Sequence, residues 1–150
     1  EFARRALELI SNADEAVIVT DMGPVGYAGY FGGKRLHLVD HYGLVDPLIA
    51  RLPGVWLDKW RTGHTHRMVP RGYLKTLRTG ENQIENLNLA SWYDHVLALT
   101  RSPLTAPGRL REIIRFNLGE YDHLLENIPA EDLEYFPGTR EYFENPLKDP

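Results

Sequence analysis

The chain has 150 residues, 43% hydrophobic and 25% charged, a length and balance that support one folded core and exclude a chain too polar to fold. A formal net charge of −4, with Lys and Arg scattered rather than massed, leaves no basic stripe and excludes nucleic acid as a partner. The absence of cysteine excludes a disulfide framework and any thiolate metal centre.

In chain order, Phe2, Ala6, Leu9 and Ile10 share one helical face. The chain opens without Met, has no charged-then-apolar leader and holds no run of about 18 apolar residues, so it reads as a piece excised downstream of any membrane part. Residues 15–20 form a short β-branched run, Glu15-Ala-Val-Ile-Val-Thr20, closed by Asp21 and Pro24, which predicts a buried strand. Pro24 fits a first helical position and Gly32-Gly33 a helix end, so a brief crossover helix is predicted between them. Lys34 to Asp40 alternates and then turns apolar, giving a second strand parallel to the first. The fold class expected is therefore α/β, a small mostly parallel sheet built on a βαβ unit, with several packing helices and an irregular C-terminal tail.

Asp46-Pro47 predicts an N-cap followed by Pro at the first helical position, opening a short helix that Pro53-Gly54 stops. Residues 54–69 form a loop carrying Trp56, Trp60, His64 and His66. A helix is predicted from Pro70 to Thr79-Gly80, with Tyr73, Leu74 and Leu77 along it. A longer one aligns Leu89, Tyr93, Val96 and Leu97 and ends at Ser102-Pro103. Another opens at Pro107 with Leu110, Ile113 and Ile114 turned inward, and stops at Asn117-Leu118-Gly119. Pro129, Pro137, Gly138 and Pro146 punctuate a tail of short turns. No internal repeat or linker divides the chain, which reads as a single domain.

The carboxyl ends of parallel strands open on one crevice, which gathers Asp21, Asp40 and His41 at its mouth. Two carboxylates there suit a general base or a cation site; the plainer alternative is that each caps backbone N–H groups at a strand end. His64 and His66, with His37 and His41, are imidazoles of the kind that bind zinc, but no His-Glu-x-x-His spacing accompanies them. Arg61, His64 and Arg67 suit phosphate or sugar hydroxyls, or serve as ordinary loop charges. Trp56, Trp60, Trp92 and Tyr93 offer a stacking platform for a sugar ring, against which core packing competes; Tyr93 lies on the apolar helix face and is read as core. The nucleophile elbow, the phosphate-binding loop and the full dinucleotide fingerprint are all missing.

The string Asp21-x-Gly23, Tyr27, Gly32, Asp40-x-x-Gly43-Leu44-x-Asp46-Pro47-x-x-Ala50-Arg51 resembles the segment that follows the last membrane spans of bacterial polytopic glycosyltransferases of the GT-C type. Gly63-His64, Arg67, Pro70-x-Gly72-Tyr73-Leu74, Leu77, the helix around Tyr93, and Arg109-Leu110 through Asn117-x-Gly119-x-Tyr121-Asp122 are similar to the actinobacterial terminal arabinofuranosyltransferases. The resemblance covers residues 15–125. It implies a soluble extracytoplasmic domain on the periplasmic face, cut from the C-terminal part of a membrane enzyme of cell-wall polysaccharide synthesis. It also implies that the parent uses a polyprenyl-phosphate sugar donor and keeps its catalytic carboxylate in the membrane half, so that no catalytic residue, cofactor or metal is expected here. The expected partners are a glycan acceptor, contacted through Asp40, His41, Trp56, Trp60, Arg61, His64 and Arg67, and the membrane-embedded half of the same polypeptide. A structural module docking on that half or on another cell-wall protein is the alternative, and a free-standing metal-dependent hydrolase using Asp21, Asp40 and the histidines is a third reading.

Overall fold

The computed structural model describes residues 16–20, 26, 29–30, 36–55 and 65–135. These are mixed helix and strand, and tertiary contacts divide the chain into two compact units, residues 1–69 with 135–150, and residues 70–134.

In the first unit, β1 (Ala16–Thr20) and β2 (Leu36–Asp40) pair in parallel, with Ala16 opposite Leu36 and Thr20 opposite Asp40. Both strands fall where β-branched and alternating residues placed them. Of the expected crossover, only Gly26, Gly29 and Tyr30 are described, and they are helical and exposed. After β2 the chain makes a tight turn and then a 3-10 turn at Ile49–Arg51. Leu38, Val39, Leu48, Ile49 and Leu52 are buried and form the described core of this unit.

The remaining strands, β3 (Val69–Pro70) and β4 (Leu133–Glu134), form a separate two-stranded antiparallel sheet. Among the described residues the pairing is thus split into two small sheets instead of gathered into one mostly parallel sheet. Pro70 ends a strand and does not start a helix. A residue without an N–H suits an edge strand as well as a first helical turn, and sequence alone does not separate the two.

The second unit holds the three helices α1 (Tyr73–Thr79), α2 (Leu87–Thr100) and α3 (Arg109–Asn117). Gly72 precedes α1 with φ 82°, and a Cβ there would fall 1.9 Å from the Gln83 carbonyl oxygen, so only glycine fits. Gly80 ends the helix with φ 76°, as the Gly-out signal predicted. Asn86 caps α2, its side-chain oxygen accepting from the N–H groups of Asn88 and Leu89 at 2.9 and 3.0 Å. Leu89, Trp92, Tyr93 and Val96 turn the buried face of α2 inward, and the Tyr93 ring meets Tyr73 edge-on at 5.4 Å. Tyr93 is core, as its place on the apolar stripe required, and Trp92 is core with it.

α3 departs from expectation. Leu110 and Ile114 were expected inward but are 72% and 51% exposed, and Leu118 beyond them is 80% exposed. The helix instead turns Arg109, Glu112 and Phe116 toward α2: an Arg109 Nη2 donates to the Leu99 carbonyl at 2.7 Å, Glu112 meets His95, and Phe116 lies 4.8 Å from Trp92. No helix among the described residues is long and apolar enough to cross a membrane.

Candidate functional site

The sequence-predicted site begins at the end of β2. The Asp40 carboxylate is buried and accepts from the backbone N–H of Leu44 (3.1 and 3.0 Å to its two oxygens) and of Val45 (3.1 Å), while the Gly43 N–H donates to the Asp40 carbonyl at 3.0 Å. One side chain therefore closes the turn that follows the strand, the capping role weighed above. Gly43 makes the turn possible: φ is 65°, and a Cβ would lie 2.8 Å from the Ala50 Cα. That close approach and left-handed backbone explain why glycine stands three residues after the aspartate.

Asp46 repeats the device. Its Oδ1 accepts from the N–H of Leu48 (2.9 Å) and Ile49 (2.8 Å), its carbonyl accepts from Ala50, and its Oδ2 sits 2.8 Å from His37 Nε2. The Asp-x-x-Gly-Leu-x-Asp-Pro string is thus two successive carboxylate-capped turns, tied to β2 through a histidine.

His41, also buried, stacks on His66 with ring centroids 4.8 Å apart and planes 17° from parallel, and Tyr42 tilts against both rings. Val55 and His66 form an antiparallel bridge, the Val55 N–H donating to the His66 carbonyl at 2.7 Å. Arg67 binds this arrangement together. Its N–H donates to the His41 carbonyl at 2.8 Å, its Nε to the Leu52 carbonyl at 3.1 Å, and its Nη1 to the carbonyls of Tyr42 (2.5 Å) and Thr65 (3.2 Å). A guanidinium spends its planar donors on three carbonyls from separate stretches of chain, a task lysine's single ammonium does not reproduce.

Asp40, His41 and Arg67 are accordingly brought together, with the Asp40 carboxylate and the Arg67 guanidinium bonded to backbone groups and the His41 ring stacked on His66. Trp56, Trp60, Arg61 and His64 lie outside the described residues, as does Asp21. The segment that carries the four, residues 56–64, departs from Val55 and returns at Thr65, and both ends belong to the bridge and the Arg67 bonds. Among the described residues no group of three or more His, Asp or Glu side chains is arranged to hold a metal ion.

A second polar cluster, in the unit of residues 70–134, was not singled out by the sequence. Glu112 Oε1 lies 2.5 Å from His95 Nδ1, its Oε2 accepts from the Tyr121 hydroxyl at 3.0 Å, and the His95 ring stacks on Tyr121 with centroids 3.7 Å apart. The Arg115 guanidinium lies over the Tyr121 ring, 5.1 Å from its centre, and makes two bonds of 2.6 Å to Glu120. Burial and the bond to Glu112 raise the Tyr121 phenol above its ordinary value, and the bond from Arg115 lowers Glu120. The arrangement orients an imidazole by a carboxylate, yet its hydrogen bonds run within the cluster and lock α3 to α2. Its members are 17 and 9 residues apart in sequence, and no local pattern announces such a meeting.

No protein-family model matches the chain, and no curated protein or solved structure matches it.

Proposed function

We propose that the chain is the C-terminal extracytoplasmic domain of a polytopic, arabinofuranosyltransferase-like glycosyltransferase of cell-wall polysaccharide synthesis, and that it positions the glycan acceptor through residues 56–64. The observation that carries this reading is the anchored base of that segment. Two tryptophans, an arginine and a histidine follow one another between Val55 and Thr65, where the Val55–His66 bridge and the three Arg67 side-chain bonds fix the chain. Functional side chains are commonly carried by loops set on a rigid support, and aromatic faces with neighbouring polar groups suit sugar rings. Asp40, His41 and Arg67 act as positioning residues, while Trp56, Trp60, Arg61 and His64 make the contacts. The parallel pairing of β1 and β2 supports the finer topology of this reading, a βαβ unit at the head of the domain. The donor, a polyprenyl-phosphate sugar, and the reacting carboxylate belong to the membrane-embedded half, so this domain contributes orientation and not bond breaking.

The docking alternative is favoured by one observation. The turn held by Asp40 carries Leu44 and Val45, 59% and 43% exposed, side by side at its tip. A rigid turn with an aliphatic tip suits attachment to another protein surface, such as the membrane half.

Heteronuclear NMR titration of the purified chain with arabinan and mannan oligosaccharides, beside a cellulose-derived control, separates the two readings. Acceptor positioning predicts selective shifts at the Trp56 and Trp60 indoles and at His64. Arg67→Lys, which leaves a charge but not the fork, is expected to weaken those shifts while the carbonyls it joined lose stability of about 2 kcal/mol. Silence at millimolar glycan overturns the acceptor reading and leaves docking through Leu44 and Val45.

A further inference from the structure

The outward face of α3 carries an inference that stands on the second unit alone and does not rest on the glycan reading. Leu110, Ile114 and Leu118 follow one another at intervals of four, so they form one stripe along the helix and onto its C-cap residue, Leu118. All three are more than half exposed, and the helix is not loose: Arg109 holds the Leu99 carbonyl, Glu112 holds His95 and Tyr121, and Phe116 packs against Trp92. Arg109 and Glu112 are thus held against the protein together with Phe116, while the aliphatic stripe is exposed. On the exposed arc the stripe is flanked by Arg111 and Asn117, both exposed, and by no acidic residue. Glu112 faces inward, and Glu120 is bound by Arg115.

We propose that this stripe is a shallow lipid-surface anchor that seats on anionic bilayers, with Leu110, Ile114 and Leu118 entering the boundary between headgroups and chains and Arg111 meeting a lipid phosphate. Two observations choose this occupant over a second copy. Three side chains supply under half of the roughly 800 Å² per partner that a stable protein interface buries, whereas an interfacial helix needs only an apolar face and basic residues beside it. The single charge on the exposed arc is the Arg111 cation, complementary to an anionic headgroup layer, although the chain as a whole is negative.

The test uses the 150-residue chain and vesicles of phosphatidylglycerol with phosphatidylcholine, against phosphatidylcholine alone. Because the chain has no cysteine, Leu118→Cys takes a single environment-sensitive fluorophore, and Leu87→Cys, at an exposed position on α2, takes the same label as control. The expected result is a blue shift at position 118 and none at 87. Ile114→Ser is expected to weaken vesicle binding about tenfold, and Arg111→Gln to lower the preference for the anionic vesicles about fivefold. Circular dichroism guards against misfolding, since both positions are exposed and both variants are expected to melt as the parent does. Absence of vesicle binding overturns the proposal, as does an equal shift at 87 and 118. So does a concentration-dependent dimer that Ile114→Ser abolishes, which assigns the stripe to a second copy.

Discussion

Gly43 and Tyr121 are the positions where a single side chain has the clearest consequence. Gly43→Ala puts a Cβ on a left-handed backbone, which costs roughly 1–2 kcal/mol, and aims it at the Ala50 backbone 2.8 Å away, so the total loss is expected to exceed that figure. Urea unfolding of the variant measures it, and a loss confined to a few tenths of a kcal/mol contradicts the geometry. Tyr121 sets a pH dependence. Burial and its bond to Glu112 raise the folded pKa above the ordinary 10.0, so the neutral phenol is favoured in the folded state. The resulting stability is fully present below the ordinary value and is lost as pH rises through the higher folded one. Tyr121→Phe is therefore expected to unfold with a shallower alkaline decline, read from urea midpoints taken across that range. At this scale the sequence was informative about Asp40 and Asp46, because a carboxylate at a strand end or before proline has a local capping role. It offered Arg67 only as a ligand for phosphate or sugar hydroxyls or as a loop charge, because its carbonyl partners at Tyr42 and Leu52 lie 25 and 15 residues away.

Elements were legible where local chemistry and packing agree. β1 and β2 follow from β-branched and alternating runs, α2 from the spacing of Leu89, Tyr93 and Val96, and the end of α1 from Gly80. Asn86 shows how much a terminus depends on one residue. It satisfies two free N–H groups of α2 and donates from Nδ2 to Asp132 at 2.6 Å, so Asn86→Ala is expected to lose about 1 kcal/mol from the cap and more from the stranded carboxylate partner. Thermal melts of Asn86→Ala and Asn86→Ser separate the contributions, because serine can cap but reaches less far toward Asp132. Equal melting of the two variants assigns the effect to the lost Asp132 bond. α3 shows the limit of periodicity. A period of 3.6 residues finds an apolar stripe but does not say that it is the buried one. Here the opposite face had partners available, a histidine, a tyrosine and a carbonyl, that satisfied its charges inside the unit.

At the scale of the whole molecule, the second unit is closed on itself. In residues 70–134 the Arg71 N–H donates to the Asp132 carbonyl at 2.9 Å, and its Nε donates to the Glu131 carbonyl, so the two ends of the stretch are tied to each other. A compact stretch with joined ends has the form of an inserted unit, in which few contacts are lost by excision. Tyr73, Ile84, Leu89, Trp92, Tyr93, Val96 and Tyr121 are its buried apolar side chains. Some domains of about 60 residues fold alone, with little margin. Residues 69–134 expressed separately are expected to keep the helical circular dichroism of α1, α2 and α3 and to melt cooperatively. Gly72→Ala in that fragment, which drives a Cβ into the Gln83 carbonyl, is expected to abolish the cooperative melt. A fragment that shows helical signal without cooperativity indicates that the contact boundary at residues 69 and 135 is not a folding boundary, and that the stability of α3 and its outward stripe depends on the rest of the chain.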